Sequence, residues 1–509
     1  MADAGAAGAA GPLARPLSPD LPHPLAGAGA ASAAGARRAA MNEAELYALL
    51  PLLILTLGAT VLLLGGAWRI NPRTLLGAGI GLALLAALAA GGLPPTVTEV
   101  GGMAATTPYA RFCTILWCAL AALTLLLSLG TGPRRNFAGG EYAALVLFAA
   151  AGMSLLSAAT TLVGLFLGLE SLTLALYILI AFDKNSPLGA EAGLKYLVLG
   201  ATATGLIAFG IALLYLAAGS FDLSVALSPV SGRGPLHGAA LIGWGLLLVA
   251  AAFKLSLAPF HLWTPDVYQG APAPITGLLA TGSKGAVATA LIALAAANGT
   301  LPTPGLLTAL ALLTLAAGSL AALAQQNVKR MLAYSSVSHM GYILLALIAG
   351  GSVGRGVALF YVVAYAAATV AAFGVVAALA RDSGEVQDYT RLHGLAWRRP
   401  WLAAVLTVAL LSLAGIPATA GFIAKFGVFL ALLRSDHPGL ALAGVAAALV
   451  SVYYYLRLVT VLYMPGEGRE PLGGGDVAAH TALLVCLLIL LFLGLYPGPL
   501  LGLIAVIVP

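Results

Sequence analysis

The chain has 509 residues, of which 61% are hydrophobic and only 8% are charged, with a formal net charge of +6 and a mean hydropathy of +1.00. Soluble globular chains carry roughly 25% charged residues, so this composition excludes a soluble domain of any size. We therefore expect a polytopic helical protein of the lipid bilayer. No basic patch is interleaved with aromatic residues, so we expect no nucleic-acid partner.

The N-terminal stretch 1–40 differs in composition from the rest of the chain. It consists mainly of Ala, Gly and Pro with scattered charges, and it lacks the apolar segment of a signal peptide. Such a composition cannot bury a core, so it predicts a disordered low-complexity extension. Met41 opens the segment MNEAELYALLPLLILTLG, just ahead of the first apolar run. We therefore expect Met41 to be the initiator and residues 41–509 to form the transmembrane domain.

Apolar runs recur from there to the end of the chain, and a run of about 20 residues crosses a bilayer core of about 30 Å as a helix. They predict an all-α fold with about fourteen transmembrane helices, at 46–66, 74–92, 110–130, 141–159, 161–182, 194–217, 238–258, 275–297, 305–324, 331–349, 356–380, 401–431, 439–463 and 480–506. The run from Glu141 to Phe182 is divided at residues 159–161, because a single helix of that length would measure about 60 Å.

The loop charges predict the orientation. Twelve Lys and Arg residues fall in the odd-numbered loops, and four fall in the even-numbered loops or at their edges. By the positive-inside rule, the odd-numbered loops face the cytoplasm. Both ends of the helix array are therefore expected on the periplasmic side.

No motif in the chain predicts a bound cofactor or metal. Cys113, Cys118 and Cys486 all lie in apolar segments and form no metal-ligand cluster. The glycine-rich segments GAGIGL and GLLATGSKG resemble parts of nucleotide-binding loops, but both fall within predicted membrane helices and neither has the required residue order or preceding strand. We therefore expect neither a cofactor nor a metal on this chain.

The lysines are distributed differently from the arginines. The chain has eighteen arginines, which crowd into loops, and only six lysines, four of which fall in or at the edge of apolar helices: Lys195, Lys254, Lys284 and Lys425. Arginine does not release its proton in a protein, whereas a lysine in an apolar setting can. The segregation predicts that these lysines exchange protons. For Lys195, near a predicted helix start, and for Lys329, beside Arg330, snorkelling of the ammonium to a headgroup is the alternative.

Of eighteen acidic residues, only Glu170 lies well inside a predicted helix. A carboxylate at that depth normally faces a partner or a water-filled cavity, and Lys254 is the expected partner, either for proton transfer or as an inert ion pair. His261 and His339 lie close to the lysine-bearing segments and could relay protons, or each could be a packed, hydrogen-bonded histidine.

Two predicted helices carry internal breaks. Pro259 follows Lys254 in helix seven, and a proline removes a backbone donor and disrupts the preceding turn. Helix twelve repeats the pattern, with Gly415 and Pro417 ahead of Lys425. Because the two helices are five spans apart, they cross in opposite directions. Paired broken helices of inverted direction predict an inverted-repeat transporter core.

Four segments carry a resemblance to a known family: ESLTLALYILIAFDKNSPLGAEAGLKYLVLGATATGLIAFGIALLY, FKLSLAPFHLWTPDVYQGAPAPITGLLATGSKGA, NVKRMLAYSSVSHMGYILLAL and LSLAGIPATAGFIAKFGVF. They closely resemble the antiporter-like subunits of bacterial respiratory complex I, and the resemblance covers roughly residues 41–509. Within them, AEAGLKYLVLGA and PDVYQGAP are similar to one of three sibling subunits rather than to the other two, M and L. The resemblance implies fourteen helices in two inverted five-helix repeats, helices four to eight and nine to thirteen, with helices seven and twelve broken.

The resemblance also implies functional positions. Glu170 matches the helix-five glutamate, Lys254 the helix-seven lysine paired with it, Lys284 the central helix-eight lysine and Lys425 the helix-twelve lysine. The positions of Lys195 and Lys329 match as well. Together with His261 and His339 they form the expected proton path.

The implied function is that of a non-redox subunit of a proton-translocating NADH:quinone oxidoreductase in the bacterial inner membrane. NADH, FMN, iron–sulfur clusters and quinone would be bound by partner subunits, and the membrane partners would include M, L and small subunits such as K and J. A subunit of a multisubunit cation/proton antiporter, which shares the fold, is the alternative. A structural scaffold without an ion path is a third possibility, against which the buried lysines weigh.

Overall fold

The computed structural model describes residues 43–68, 70–94, 96–131, 139–381, 384–465 and 471–509. The predicted extension 1–40, Met41 and several of the loop arginines used for the orientation (Arg69, Arg134, Arg135 and Arg469) lie outside these residues. Residues 43–46 form the first turn of the first helix, and residues 47–509 form one unit. The described chain is almost entirely helical, which confirms the predicted fold class.

The first half of the chain contains helices α1 (Glu43–Ala67), α2 (Pro72–Gly92), α3 (Pro108–Thr131), α4 (Gly139–Ala158), α5 (Leu162–Ile180), α6 (Pro187–Ala218), α7a (His237–Leu255), α7b (Thr264–Gly270) and α8 (Ala273–Ala297). The second half contains α9 (Pro304–Leu323), α10 (Val328–Ala349), α11 (Gly351–Leu379), α12a (Pro400–Ala414), α12b (Ala420–Arg434), α13 (Pro438–Tyr463), α14 (Val477–Leu495) and α15 (Gly498–Ile507). The described loops also contain four helical turns of four residues each: Leu223–Ala226, Ser228–Ser231, Tyr389–Leu392 and Leu395–Arg398. Strands β1 (Glu99–Val100) and β2 (Ala104–Ala105) form a short antiparallel hairpin.

Within the described ranges, thirteen helices are long and apolar enough to cross a membrane. The fourteenth predicted crossing is divided between α12a and α12b, each of 15 residues. A helix of that length measures about 22 Å, which is less than the bilayer core, so both halves are needed for one crossing. The structure therefore agrees with the predicted fourteen spans.

Helix α6 begins earlier than predicted. The expected start was residue 194, but the helix starts at Pro187, because the Ser186 hydroxyl accepts the Gly189 N–H and proline suits the first helical turn. Lys195 consequently lies two turns inside α6 and not near its start.

Two other predicted boundaries were tested by the structure. The division at residues 159–161 is confirmed: α4 ends at Ala158, and the Thr161 hydroxyl caps α5 by accepting the Gly164 N–H. The single helix predicted at 480–506 is wrong, because the chain leaves helical geometry after Leu495, just before Pro497, and resumes as α15. The residue that precedes a proline is disfavoured in helical conformation, which accounts for the interruption.

Both predicted breaks are present. Helix α7a ends at Leu255, three residues before the predicted boundary, and Ser256 adopts a left-handed conformation with φ 59°. Helix α12a ends at Ala414, followed by Gly415 with φ 84°, which glycine tolerates without steric cost. The two interrupted helices therefore leave irregular backbone inside the helix array, as the inverted-repeat prediction requires.

The helices at the centre are buried on all sides. In α8 and α11, 94% of an 18-residue apolar stretch is buried within the chain, against 33% in α1 and α14. The peripheral helices expose large apolar side chains such as Leu88 and Leu449, which is expected for a lipid-facing surface. The polar residues described below belong to the buried centre.

Candidate functional site

Three of the lysines predicted to lie in helices are almost completely buried. Lys254, Lys284 and Lys425 are 2%, 0% and 4% exposed. Each adjoins irregular backbone: Lys254 is in the last turn of α7a before the break, Lys284 directly follows the π-helical turn Leu279–Ser283, and Lys425 is in α12b after the second break. π-Helical turns occur frequently at functional sites.

Lys254 contacts α5 through a hydroxyl group. Its Nζ donates to Thr173 Oγ1 at 2.8 Å, and its ammonium lies 5.8 Å from the centre of the Tyr196 ring. Glu170 is half-buried one turn before Thr173, and its carboxylate accepts a hydrogen bond from Thr204 Oγ1 at 2.7 Å. The expected direct ion pair between Glu170 and Lys254 is therefore not formed in this structure. Thr173 instead holds the Lys254 ammonium beside the face of α5 that also carries Glu170.

Lys284 contacts a hydroxyl that joins several helices. Its Nζ donates to Ser336 Oγ on α10 at 2.7 Å, and Tyr365 OH on α11 donates to the same oxygen at 2.8 Å. Tyr268 OH on α7b lies 3.1 Å from that oxygen. A serine oxygen that accepts two hydrogen bonds has its own proton left to donate, so Ser336 connects Lys284 to both tyrosines.

His339, one turn after Ser336 on α10, bonds two further tyrosines. Its Nδ1 lies 2.8 Å from Tyr361 OH and its Nε2 lies 3.1 Å from Tyr455 OH, which also bonds Ser335. A cavity of about 10 Å³, on the order of the space that one water molecule requires, adjoins His339 and is lined on its other side by residues of α12a and α12b. His339 thus lies between the Lys284 region and the second break.

Lys425 bridges the second break. Its Nζ donates to the Ala414 carbonyl oxygen at 2.9 Å and to Ser451 Oγ on α13 at 3.1 Å. The carbonyl belongs to the last residue of α12a, where a helix end leaves an acceptor without an intrahelical partner. The Tyr342 ring centre lies 5.3 Å from the ammonium. Lys425 therefore binds only uncharged oxygen atoms in the described part of the chain.

Lys195 and Lys329 differ from these three because both form ion pairs. Lys195 Nζ lies 2.6 Å from Asp266 and 2.7 Å from Glu191, and its side chain is 40% exposed. Lys329 Nζ lies 2.8 Å from Glu385, and its side chain is 0% exposed. Snorkelling is therefore wrong for Lys329, whose ammonium is buried, and it stays open for Lys195.

The two histidines are not equivalent. His339 belongs to the buried hydrogen-bonded set, but His261 is only half-buried and packs with its ring centre 6.3 Å from that of Tyr334. Its Nδ1 has no hydrogen-bond partner among the residues that the structure describes. The hydrogen bonds of His339 therefore connect it to the buried tyrosines between Lys284 and the second break, whereas His261 Nδ1 makes no such connection among the described residues.

Sequence reasoning missed the uncharged members of the site and one acid. The hydroxyl partners Thr173, Ser336 and Ser451 look like ordinary helix residues, although the cluster SSVSH at 335–339 could have drawn attention to α10. Glu385 lies in the sequence between two predicted helices, as many of the acids do, but its side chain is only 6% exposed. Within the described ranges, no group of three or more His, Cys, Asp and Glu residues is placed to hold a metal ion. The absence of a resident cofactor stays a prediction.

The fold and the line of buried lysines define a polytopic membrane protein of the antiporter-like class, with paired broken helices around a polar interior. The sequence profile of the family described as NADH:quinone oxidoreductase/Mrp antiporter, TM matches residues 159–451. The chain is 50% identical over 458 residues to the NADH-quinone oxidoreductase subunit N of Syntrophotalea carbinolica, covering 89% of this chain and 97% of that protein. The chain therefore belongs to the NADH-quinone oxidoreductase subunit N family, which confirms the resemblance stated above.

Solved structures agree with this assignment. A chain in the structure of respiratory complex I from Thermus thermophilus with bound aureothin is 34% identical, with a TM-score of 0.77 over 89% of this chain and 99% of that one. A chain of the Mrp complex from Dietzia sp. DQ12-45-1b has a TM-score of 0.74 at 20% identity, over 91% of this chain and 96% of that one. The second likeness concerns the fold alone.

Proposed function

We propose that this chain is the membrane subunit of an NADH:quinone oxidoreductase that translocates protons across the bacterial inner membrane, coupled to electron transfer in partner subunits. One observation carries the proposal: three buried lysines, Lys254, Lys284 and Lys425, extend from one broken helix to the other, and each donates a hydrogen bond to an uncharged oxygen. Buried ionisable groups inside a membrane domain typically mark ion pathways. The subunit N relatives support the oxidoreductase complex as its setting.

The partners follow from this assignment. The antiporter-like subunits M and L and small membrane subunits such as K and J would flank the chain in the bilayer. NADH, FMN, iron–sulfur clusters and quinone would be bound by other subunits, so this chain acts as a non-redox part of the translocase. Both ends of its helix array would face the periplasm, as the loop charges indicate.

The proposed mechanism is electrostatic. A change of charge at Glu170 or Lys254 alters the free energy of protonating Lys284, which then exchanges its proton with Lys425 through the region of Ser336 and His339. At an effective dielectric constant of about 20, a unit charge at about 4 Å contributes about 4 kcal/mol. A tenfold change in proton affinity requires about 1.4 kcal/mol. A unit charge that moves to or from the immediate surroundings of a lysine therefore changes its proton affinity by more than tenfold.

Hydroxyl partners suit this exchange. A hydroxyl oxygen accepts a hydrogen bond from an ammonium, and after rotation its proton can be donated to a neutral amine. Thr173 and Ser336 can therefore retain a hydrogen bond to Lys254 and Lys284 in either protonation state. A carboxylate partner would favour the charged state alone.

Deletion of the chain tests the proposal. Membranes from a deletion strain should lose NADH:quinone reductase activity and keep NADH oxidation by an artificial soluble acceptor, because the redox centres lie on partner subunits. The deletion strain complemented with the gene on a plasmid is the control and should recover quinone reductase activity. Undiminished quinone reduction in the deletion strain would contradict the proposal. Loss of growth at high Na⁺ concentration with intact quinone reduction would favour the antiporter alternative.

A further inference from the structure

The chemistry of their partners divides the buried lysines into two groups. Lys254, Lys284 and Lys425 bond hydroxyl or carbonyl oxygens, and none of them forms an ion pair among the described residues. Lys329 is as deeply buried, but it pairs with the Glu385 carboxylate. A carboxylate at 2.8 Å favours the charged ammonium, so Lys329 has a counter-charge in direct contact, whereas Lys254, Lys284 and Lys425 contact only uncharged oxygen atoms among the described residues.

Glu385 reaches this position from a loop. It lies between α11 and α12a, yet its side chain is only 6% exposed. One carboxylate oxygen bonds Lys329 Nζ, and the other accepts the N–H of Ala273 at 2.8 Å. Ala273 is the first residue of α8, where backbone N–H groups lack intrahelical partners and a negative charge is favoured. Lys329 Nζ also donates to the carbonyl oxygen of Ala271, just before α8, at 2.5 Å.

Glu385 therefore connects the starts of α8 and α10. Further along the same two helices, the hydrogen bond between Lys284 and Ser336 joins them a second time. Lys284 lies eleven residues after Ala273, about 16 Å along α8. Ser336 lies seven residues after Lys329, about 10 Å along α10. The two helices belong to different repeats. The Glu385 carboxylate therefore fixes the start of α8 against the start of α10, and the positions of Lys284 and Ser336 further along these helices depend on that contact.

We propose that Glu385 is a positioning residue for proton translocation and that Lys329 is a fixed cation rather than a proton carrier. The Glu385–Lys329 pair sets the relative position of α8 and α10, and with it the hydrogen bond between Lys284 and Ser336. This inference rests on the proposed function, and it assigns Lys329 a role different from that of Lys284. Breaking a buried pair by removing one charge is costly, whereas replacing both charges together is often tolerated.

The test uses the assembled complex in inverted membrane vesicles, with protons taken up per NADH oxidised as the readout and native gels as the assembly check. Glu385→Gln keeps an acceptor for the Ala273 N–H but leaves the Lys329 charge without its counter-charge, and we expect proton uptake to fall about two- to tenfold. Adding Lys329→Gln removes the positive charge that Glu385 had balanced and should restore most of the loss. Asp388→Asn, on the same loop but exposed, is the matched control and should equal the parent.

Arginine substitution separates a fixed cation from a carrier. Lys329→Arg keeps a permanent charge and should retain most of the proton uptake, whereas Lys284→Arg should lose it. Parental uptake in Glu385→Gln, or a double variant no better than Glu385→Gln alone, would overturn the inference, and so would an assembled Lys329→Arg complex as inactive as Lys284→Arg. If Lys329→Arg does not assemble, the comparison of Glu385→Gln with the double variant decides. Normal pumping by Lys284→Arg would instead contradict the proposed function, so the two failures are distinguishable.

Discussion

Lys284 and Ser336 stand 2.7 Å apart, Nζ to Oγ, and connect α8 of the first repeat to α10 of the second. The lysine is 0% exposed, and its partner also accepts a hydrogen bond from Tyr365. The contact therefore places an ionisable group at the junction of the two repeats and gives it a hydroxyl that can act as donor or acceptor. A residue that exchanges protons with groups in both repeats needs this position and this kind of partner.

Substitution of Lys284 tests whether it carries a proton. Lys284→Arg keeps the charge but cannot deprotonate, and Lys284→Ala removes the carrier, so both should abolish proton uptake per NADH in vesicles. Lys184→Arg, on an exposed loop, is the control and should equal the parent. If Lys284 were only a fixed charge, the arginine variant would pump near the parental rate and the alanine variant would not.

Glu170 is tested by removing its charge alone. Glu170→Gln keeps an acceptor for Thr204 but removes the carboxylate charge near Lys254, so we expect lower proton pumping and slower coupled NADH oxidation with assembly intact. Glu141→Gln, exposed in the first turn of α4, is the matched control. An assembled Glu170→Gln complex that pumps at the parental rate would refute an electrostatic role for this acid.

The hydroxyl partner of Lys284 should matter as well. In Ser336→Ala the buried ammonium loses its acceptor, which costs about 1–3 kcal/mol, so proton transfer should slow by roughly tenfold or more. Ser338→Ala, two residues further along α10, removes a buried serine that bonds Ser319 instead. It should leave pumping nearly unchanged in the same vesicle measurement. Equal effects of the two substitutions would show that Ser336 acts only through packing.

The ionisable part of the site could be predicted from the sequence because charges are rare there. A lysine or glutamate inside an apolar run is costly, so Glu170, Lys254, Lys284 and Lys425 stand out without knowledge of the fold. Breaks near Pro259 and Gly415 could be predicted because proline and glycine act locally on the backbone. The same local logic predicted the spans to within a few residues, except where the Ser186 cap extended α6 and Pro497 divided the last run.

The hydrogen-bond partners of the buried lysines could not be predicted, because they depend on how the helices are rotated and packed against one another. Serine and threonine are common in membrane helices, where their hydroxyls often bond the backbone of the same helix. Nothing local marks Ser336 as the partner of Lys284, which is 52 residues away along the chain. Glu385 is a stronger case, since its loop resembles the other polar loops and only tertiary packing buries its carboxylate.

The close approach of α12a and α12b gives a structural prediction at Gly421. A Cβ atom at this position would lie 1.8 Å from the carbonyl oxygen of Ser412, and the Gly421 N–H donates to the Ser412 hydroxyl. Gly421→Ala must therefore separate the two halves of the broken helix, at a cost of about 1–3 kcal/mol or more. The separation should also weaken the hydrogen bond from Lys425 to Ala414, so proton uptake per NADH should fall together with the thermal stability of the purified complex.

Gly427→Ala is the matched control for that substitution. Gly427 lies on the same helix α12b, but a Cβ atom there would meet the Val357 side chain at 3.4 Å, an ordinary contact distance. Replacing a helical glycine by alanine reduces the conformational freedom of the unfolded chain, so Gly427→Ala should be neutral or slightly stabilising. If Gly421→Ala melted at the same temperature as Gly427→Ala and pumped equally well, the close approach of the two halves would not be needed to position Lys425. A loss confined to Gly421→Ala would tie the geometry of the second break to proton movement at this lysine.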